Sequence, residues 1–239
     1  MTTILQDKRV LIVGGARDIG FAIVEAVAQE GATALIGSRD FGKACVAAAG
    51  IPGAEPVWLD INEEVSIIAA FELIGQVDHI VVIASANHDL SVAELDRGKS
   101  VAAFEAKVIG PLLLAKYSAK RLRRNGSIVL FSAVPVWNPT SGYTGMEIAN
   151  GAVAFAVGHL AKELAPIRVN AISHGVIDSG SWDSLGSDRK EAFLESAVRS
   201  TLVGRAGTSD DVAKAVLWLL GAGFVTGETI YVEGGARFA

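Results

Sequence analysis

A single cysteine, Cys45, stands among the 239 residues. No internal disulfide can form, and a reducing cytoplasm is the expected setting. Cys45 falls in an alanine-rich stretch, where an inert buried thiol is expected. Aromatic residues are sparse at 7%, and charged residues reach only 20%. No apolar run approaches the roughly 18 residues that span a bilayer, although mean hydropathy is high at +0.41. No secretory pattern opens the chain, because Met1-Thr2-Thr3 leads into a polar turn. Positive charge is also short: a net charge of −5 argues against nucleic acid or an anionic membrane as partner. The four histidines and one cysteine show no metal-ligand spacing, so no metal site is expected.

Apolar residues are what the chain has, at 51%. That excess suits a parallel sheet whose strands are buried on both faces, and a subunit that packs against copies of itself. Short β-branched runs predict strands at Arg9–Val13, Thr33–Gly37, Pro56–Leu59, His79–Ala84, Ser127–Phe131, Arg168–Ser173 and Thr229–Val232. Helices are expected between them, over Phe21–Glu30, Gly42–Ala49, Glu63–Gly75, Leu95–Arg124, Glu147–Leu164, Asp188–Ser200 and Ser209–Leu220. The basic Arg121-Leu122-Arg123-Arg124 cluster reads as the solvated end of the long fourth helix. Repeated strand–helix units predict an α/β fold: one Rossmann-like, doubly wound domain over residues 1–239, with a mainly seven-stranded parallel sheet.

Val10-Leu11-Ile12-Val13-Gly14-Gly15-Ala16-Arg17-Asp18-Ile19-Gly20 reads strand, glycine turn, helix start. Such a turn presents backbone N–H groups and a helix N-terminus to a phosphate. Gly14, Ala16, Arg17, Asp18, Ile19 and Gly20 are therefore candidate cofactor contacts. The second strand runs into Ser38-Arg39, where an acid would repel a ribose 2′-phosphate. A hydroxyl and a guanidinium suit that phosphate instead, so NADP(H) is expected over NAD(H), with NAD(H) still possible. The alternative for Arg39 is a surface arginine partnered by Asp40 or Asp18. Asp60 could accept a hydrogen bond from adenine with Ile61 against the ring, or it could be a helix N-cap.

From end to end the chain resembles a short-chain dehydrogenase/reductase. Val13 to Gly20 resembles the family's TGxxxGxG turn, and Leu59-Asp60 and Asp78-His79-Ile80-Val81 sit where its adenine-site aspartate and fourth strand lie. Ser127 to Ser132 resembles the strand that ends in the catalytic serine. Ile167-Arg168-Val169-Asn170, Gly204-Arg205-Ala206-Gly207 and Glu233-Gly234-Gly235 complete the likeness. The resemblance implies hydride transfer between a nicotinamide cofactor and a small carbonyl or alcohol. It also implies a homo-oligomer, usually a tetramer, and further cofactor contacts at Ala84, Ser85, His174, Gly175, Ile177 and Ser179. Residues 180–202, with Trp182 and Phe193, match the substrate lid.

The family pattern breaks at the chemistry. Asp18 replaces a glycine of the turn. Against the family's YxxxK pair, Met146 takes the tyrosine position and Asn150 the lysine position. Lys107 takes the place of the family's supporting asparagine, so lysine and amide look exchanged. Ser132, Lys107, Tyr143 and Asn150 are the candidate catalytic residues. Tyr143 is expected on the same helical face as Met146 and Asn150, one turn earlier, and its alternative role is lid-side packing. His174 and His88 are lesser candidates, His174 as a general acid near neutral pH. Two functions follow: an NADP(H)-dependent oxidoreductase with altered acid/base groups, or an NADP(H)-binding protein of little activity that serves as sensor or assembly partner.

Overall fold

A computed structural model describes residues 4–86 and 91–239. The first half alternates β1 (Arg9–Val13), α1 (Asp18–Gln29), β2 (Thr33–Ser38), α2 (Phe41–Ala49), β3 (Ala54–Trp58), α3 (Glu64–Ile74) and β4 (Val77–Val82). Next come α4 (Arg97–Phe104), a π-helical turn at Glu105–Ile109, α5 (Gly110–Ser118), β5 (Leu122–Ala133) and α6 (Thr144–Glu163). The chain closes with β6 (Arg168–His174), β7 (Ile177–Asp178), α7 (Ser187–Arg199), β8 (Gly207–Thr208), α8 (Ser209–Gly221) and β9 (Thr229–Val232).

Seven strands form one parallel sheet in the order β3-β2-β1-β4-β5-β6-β9, and β7 pairs with β8 apart from it. The fold is Rossmann-like, as the strand–helix alternation predicts. Successive side chains of a strand point to opposite faces, and both faces are covered here. Leu11, Ile80, Ile128 and Leu130 pack with residues of α3, α5 and α6. Val10, Ile12, Val129 and Phe131 pack with α1, α2 and α8 on the other side. The order reverses direction between β1 and β4, which opens a crevice at the carboxyl ends of those strands.

The expected helix over Leu95–Arg124 is not continuous. It divides at Glu105–Ile109, where hydrogen bonding slips to the π register and the Gly110 N–H reaches the Glu105 carbonyl. Pro111 follows and has no N–H for the carbonyl four residues back, at Lys107, so a regular α turn loses a bond there. The helix ends at Ser118, and the basic cluster does not cap it: Arg123 and Arg124 open β5, and Arg123 Nε lies 3.6 Å from Asp78. Cys45 is exposed rather than buried, because Ala44 and Ala47 take the inner face of α2. The last long helix starts from a Thr208–Asp211 capping box, with Thr208 as its N-cap.

Candidate active site

The glycine turn closes tightly at the end of β1. Gly14 has φ +94°, its N–H donates to the Gly37 carbonyl at 2.8 Å, and a Cβ there would lie 2.9 Å from the Ala84 nitrogen. Gly20 lies against the Gly14 carbonyl with no room for a side chain. No side chain caps α1, so its first N–H groups have no capping acceptor among the described residues. Ile19 packs into the core and Ala16 is partly buried. Asp18 keeps the backbone of the glycine it replaces, with φ +51°. Its Oδ2 lies 3.3 Å from Arg17 Nη1.

At the end of β2, Ser38 Oγ accepts from the Asp40 N–H at 3.2 Å. Asp40 caps α2 through the Lys43 N–H and lies 3.4 Å from Lys43 Nζ. Asp18 is engaged by Arg17. Neither carboxylate reaches Arg39, which is exposed and has no ion pair among the described residues. Asp60 is not the N-cap of α3, a place taken by Glu63. Its Oδ1 accepts from the Asn62 N–H at 3.0 Å, a local turn of the kind aspartate forms. Ile61 is buried against the start of α5 at Gly110, so little of it faces a ring. Ala84 is tied to the Val13 carbonyl and Ser85 is exposed beyond it. His88 lies outside the described residues.

Lys107 sits in the π turn with only 7% of its surface exposed. Val82, Ala84, Pro111, Leu130, Phe131 and Val153 line its pocket. Burial among these groups pushes its pKa from 10.5 down to about 8, while the nearby Glu147 carboxylate pulls it back up. Ser132 and Asn150 are both buried and meet each other. The Ser132 hydroxyl donates to the Asn150 backbone carbonyl at 3.0 Å, so its proton is committed to α6. The Asn150 amide lies 3.4 Å from Glu147 Oε2, and its Oδ1 is buried with no hydrogen-bond partner among the described residues. Met146 is buried at the tyrosine position. Tyr143 is not part of the helical face: it is the N-cap residue of α6, with φ −119° and ψ 4°.

His174 closes the far wall. Its Nδ1 lies 2.8 Å from the Gly175 carbonyl, which places the ring proton there. Burial, and then the neighbouring Lys107 charge, hold its pKa at about 4. The ring is therefore neutral near pH 7, which does not favour the expected role as a general acid there. Two relationships escaped sequence reasoning. Glu147, which the sequence sets four residues after Tyr143, acts electrostatically on Lys107 from the first turn of α6. Ser173 is fully buried beside Ser132 in the β5–β6 register, and its Oγ has no hydrogen-bond partner among the described residues. The register of two strands carries that second signal, and one sequence without pairing does not reveal it.

Beyond β6, Ile177 is buried and its carbonyl accepts from Trp182 Nε1 at 2.9 Å. Ser179 caps the 3-10 turn Gly180–Leu185. Trp182 packs on Phe193 of α7 with ring centroids 4.4 Å apart. Residues 180–199, the expected lid, are a short turn and one helix braced by two aromatic rings.

A glycine turn at the topological switch point of a parallel sheet is the arrangement of a dinucleotide-binding α/β protein. The family model described as enoyl-(acyl carrier protein) reductase matches residues 14–237. The short-chain dehydrogenase/reductase ucsE of Acremonium sp. is 29% identical over 98% of this chain and 97% of that protein. A small-chain dehydrogenase solved in complex with NADPH superposes with TM-score 0.87, at 29% identity over 98% of this chain and 100% of that one. The MalC reductase/Diels-Alderase of Malbranchea aurantiaca superposes with TM-score 0.93 over 100% of this chain and 99% of that one. At 24% identity that last likeness speaks for the fold alone. The chain belongs to the short-chain dehydrogenase/reductase family.

Proposed function

We propose an NADPH-dependent reductase of small carbonyl compounds in which Lys107 replaces tyrosine as the proton donor. The observation that carries this reading is a lysine buried in an apolar pocket with a pKa near 8. Such an ammonium is still protonated at pH 7 and close enough to that pH to release its proton readily. The cofactor, when bound, supplies the hydride. The chain's own residues do the rest. The glycine turn and the open N-terminus of α1 receive the pyrophosphate. Arg39, with no carboxylate on it, is available to a 2′-phosphate, and Ser38 lies beside it. The complex of the related dehydrogenase with NADPH supports the same cofactor. Asp60, Ala84, Ser85, His174, Gly175, Ile177 and Ser179 line the remaining walls, with His174 as a neutral polar group. Ser132 anchors α6 through the Asn150 carbonyl, three residues from Glu147, whose charge acts on Lys107. Residues 180–202 close over the substrate within one domain. Exposed Ile148 and Phe155 on α6 favour the expected pairing of copies.

The catalytically quiet alternative draws support from Met146 at the tyrosine position and from the committed Ser132 proton. One experiment separates the two. Carbonyl compounds are screened for NADPH oxidation, and Lys107→Ala is compared with the wild type on any that react. The reductase reading expects turnover, and a loss of about 10²–10⁴-fold in the variant. Wild-type protein that binds NADPH and oxidises it with no carbonyl contradicts that reading.

A further inference from the structure

Asp18 stands in the phosphate turn as an acid where the rest of the turn is built to receive one. Its φ of +51° lies in the left-handed region, which aspartate tolerates better than most residues with a side chain and glycine adopts more readily still. The carboxylate is mostly buried, with 19% of the side chain exposed. One oxygen meets Arg17 and the other lies against Gly180, so close that no side-chain carbon fits at 180. Gly180 opens the 3-10 turn that leads into the lid. The nearby lid acids Asp178 and Asp183 are both paired with Lys190, at 3.3 and 2.9 Å. Asp18 therefore packs from the glycine turn directly onto residue 180, which opens the 3-10 turn.

Resting on the cofactor reading above, we infer that Asp18 is a latch that holds the lid base to the glycine turn and competes with dinucleotide for that turn. A pyrophosphate entering there meets a fixed negative charge and must turn that side chain out, releasing Gly180. Arg17, now paired with Asp18, is then freed toward the phosphate. Cofactor entry and release of the lid base become one event. The residue sets affinity and does not touch the reacting atoms.

The test compares wild type, Asp18→Gly and Asp18→Asn, with NADPH and NADH titrated by calorimetry. Hydrogen exchange of residues 179–185 is measured in parallel on the cofactor-free proteins. Asp18→Gly is expected to bind both dinucleotides about tenfold more tightly or better, because a repulsive charge and its displacement are both removed. Asp18→Asn, which loses only the charge, is expected to fall between. Exchange at 179–185 is expected to rise in Asp18→Gly without cofactor. Equal or weaker binding by Asp18→Gly, or unchanged exchange, overturns the latch alone. If no variant binds either dinucleotide, the cofactor assignment itself falls and the latch with it.

Discussion

Replacing Lys107 by methionine is expected to stabilise the protein at neutral pH. Methionine matches the length of the stem and adapts to an irregular apolar pocket. The magnitude follows from the environment of the ammonium. Burial lowers its pKa from 10.5 to about 8. At about 1.36 kcal/mol per unit, holding the charge inside costs the folded state about 3 kcal/mol. The sign fixes the pH window. Below pH 8 both folded and unfolded lysine are protonated, and the folded state bears the whole cost. Between pH 8 and 10.5 the folded lysine is neutral while the unfolded one still binds a proton, so the cost fades. Above 10.5 it is gone. Urea unfolding of wild type and Lys107→Met at pH 7, 9 and 10.5 measures this. The variant should lead by about 3 kcal/mol at pH 7, and the lead should shrink toward zero. A variant less stable at pH 7, or a lead independent of pH, refutes the buried-charge argument and with it the tuned proton donor.

Arg39→Ala should weaken NADPH binding by about 1.5–3 kcal/mol, the worth of hydrogen bonds to a charged group, and leave NADH nearly unchanged in fluorescence titrations. Equal affinity of the wild type for the two cofactors would remove the 2′-phosphate role. Acid should destabilise the protein between pH 6.5 and 4. Burial holds His79 and His174 near pKa 4, so the unfolded chain takes up protons that the folded histidines refuse. At pH 5 that amounts to roughly 2 kcal/mol for His79, and His79→Gln should show a flatter urea midpoint against pH.

Most of the sheet was legible because buried parallel strands are short, β-branched and bounded by glycine or polar residues. Arg9–Val13 and Thr229–Val232 matched to the residue. The region 95–124 was not, since its apolar spacing runs on through Pro111 and gives no sign of a π turn or of a strand beginning at Leu122. Cys45 misled because an alanine-rich helix has little polar contrast to mark its inner face. At the site, the exchange of Lys107 and Asn150 could be seen against the family pattern. The depth of Lys107, the commitment of the Ser132 proton and the neutrality of His174 could not, because each depends on what lies across the sheet. Arg39 was ambiguous in sequence for the same reason: whether a neighbouring acid claims it is a matter of capping geometry at Asp40.

The pH dependence of carbonyl reduction by the wild type tests the central claim most directly. Turnover is measured under saturating NADPH from pH 6 to 10, beside the stability of the protein over the same range. With Lys107 as the acid, kcat should be level at low pH and fall as pH rises through about 8, where the buried ammonium loses its proton. A rate that stays level to pH 10 contradicts the account, because a proton donor of that pKa is then not Lys107.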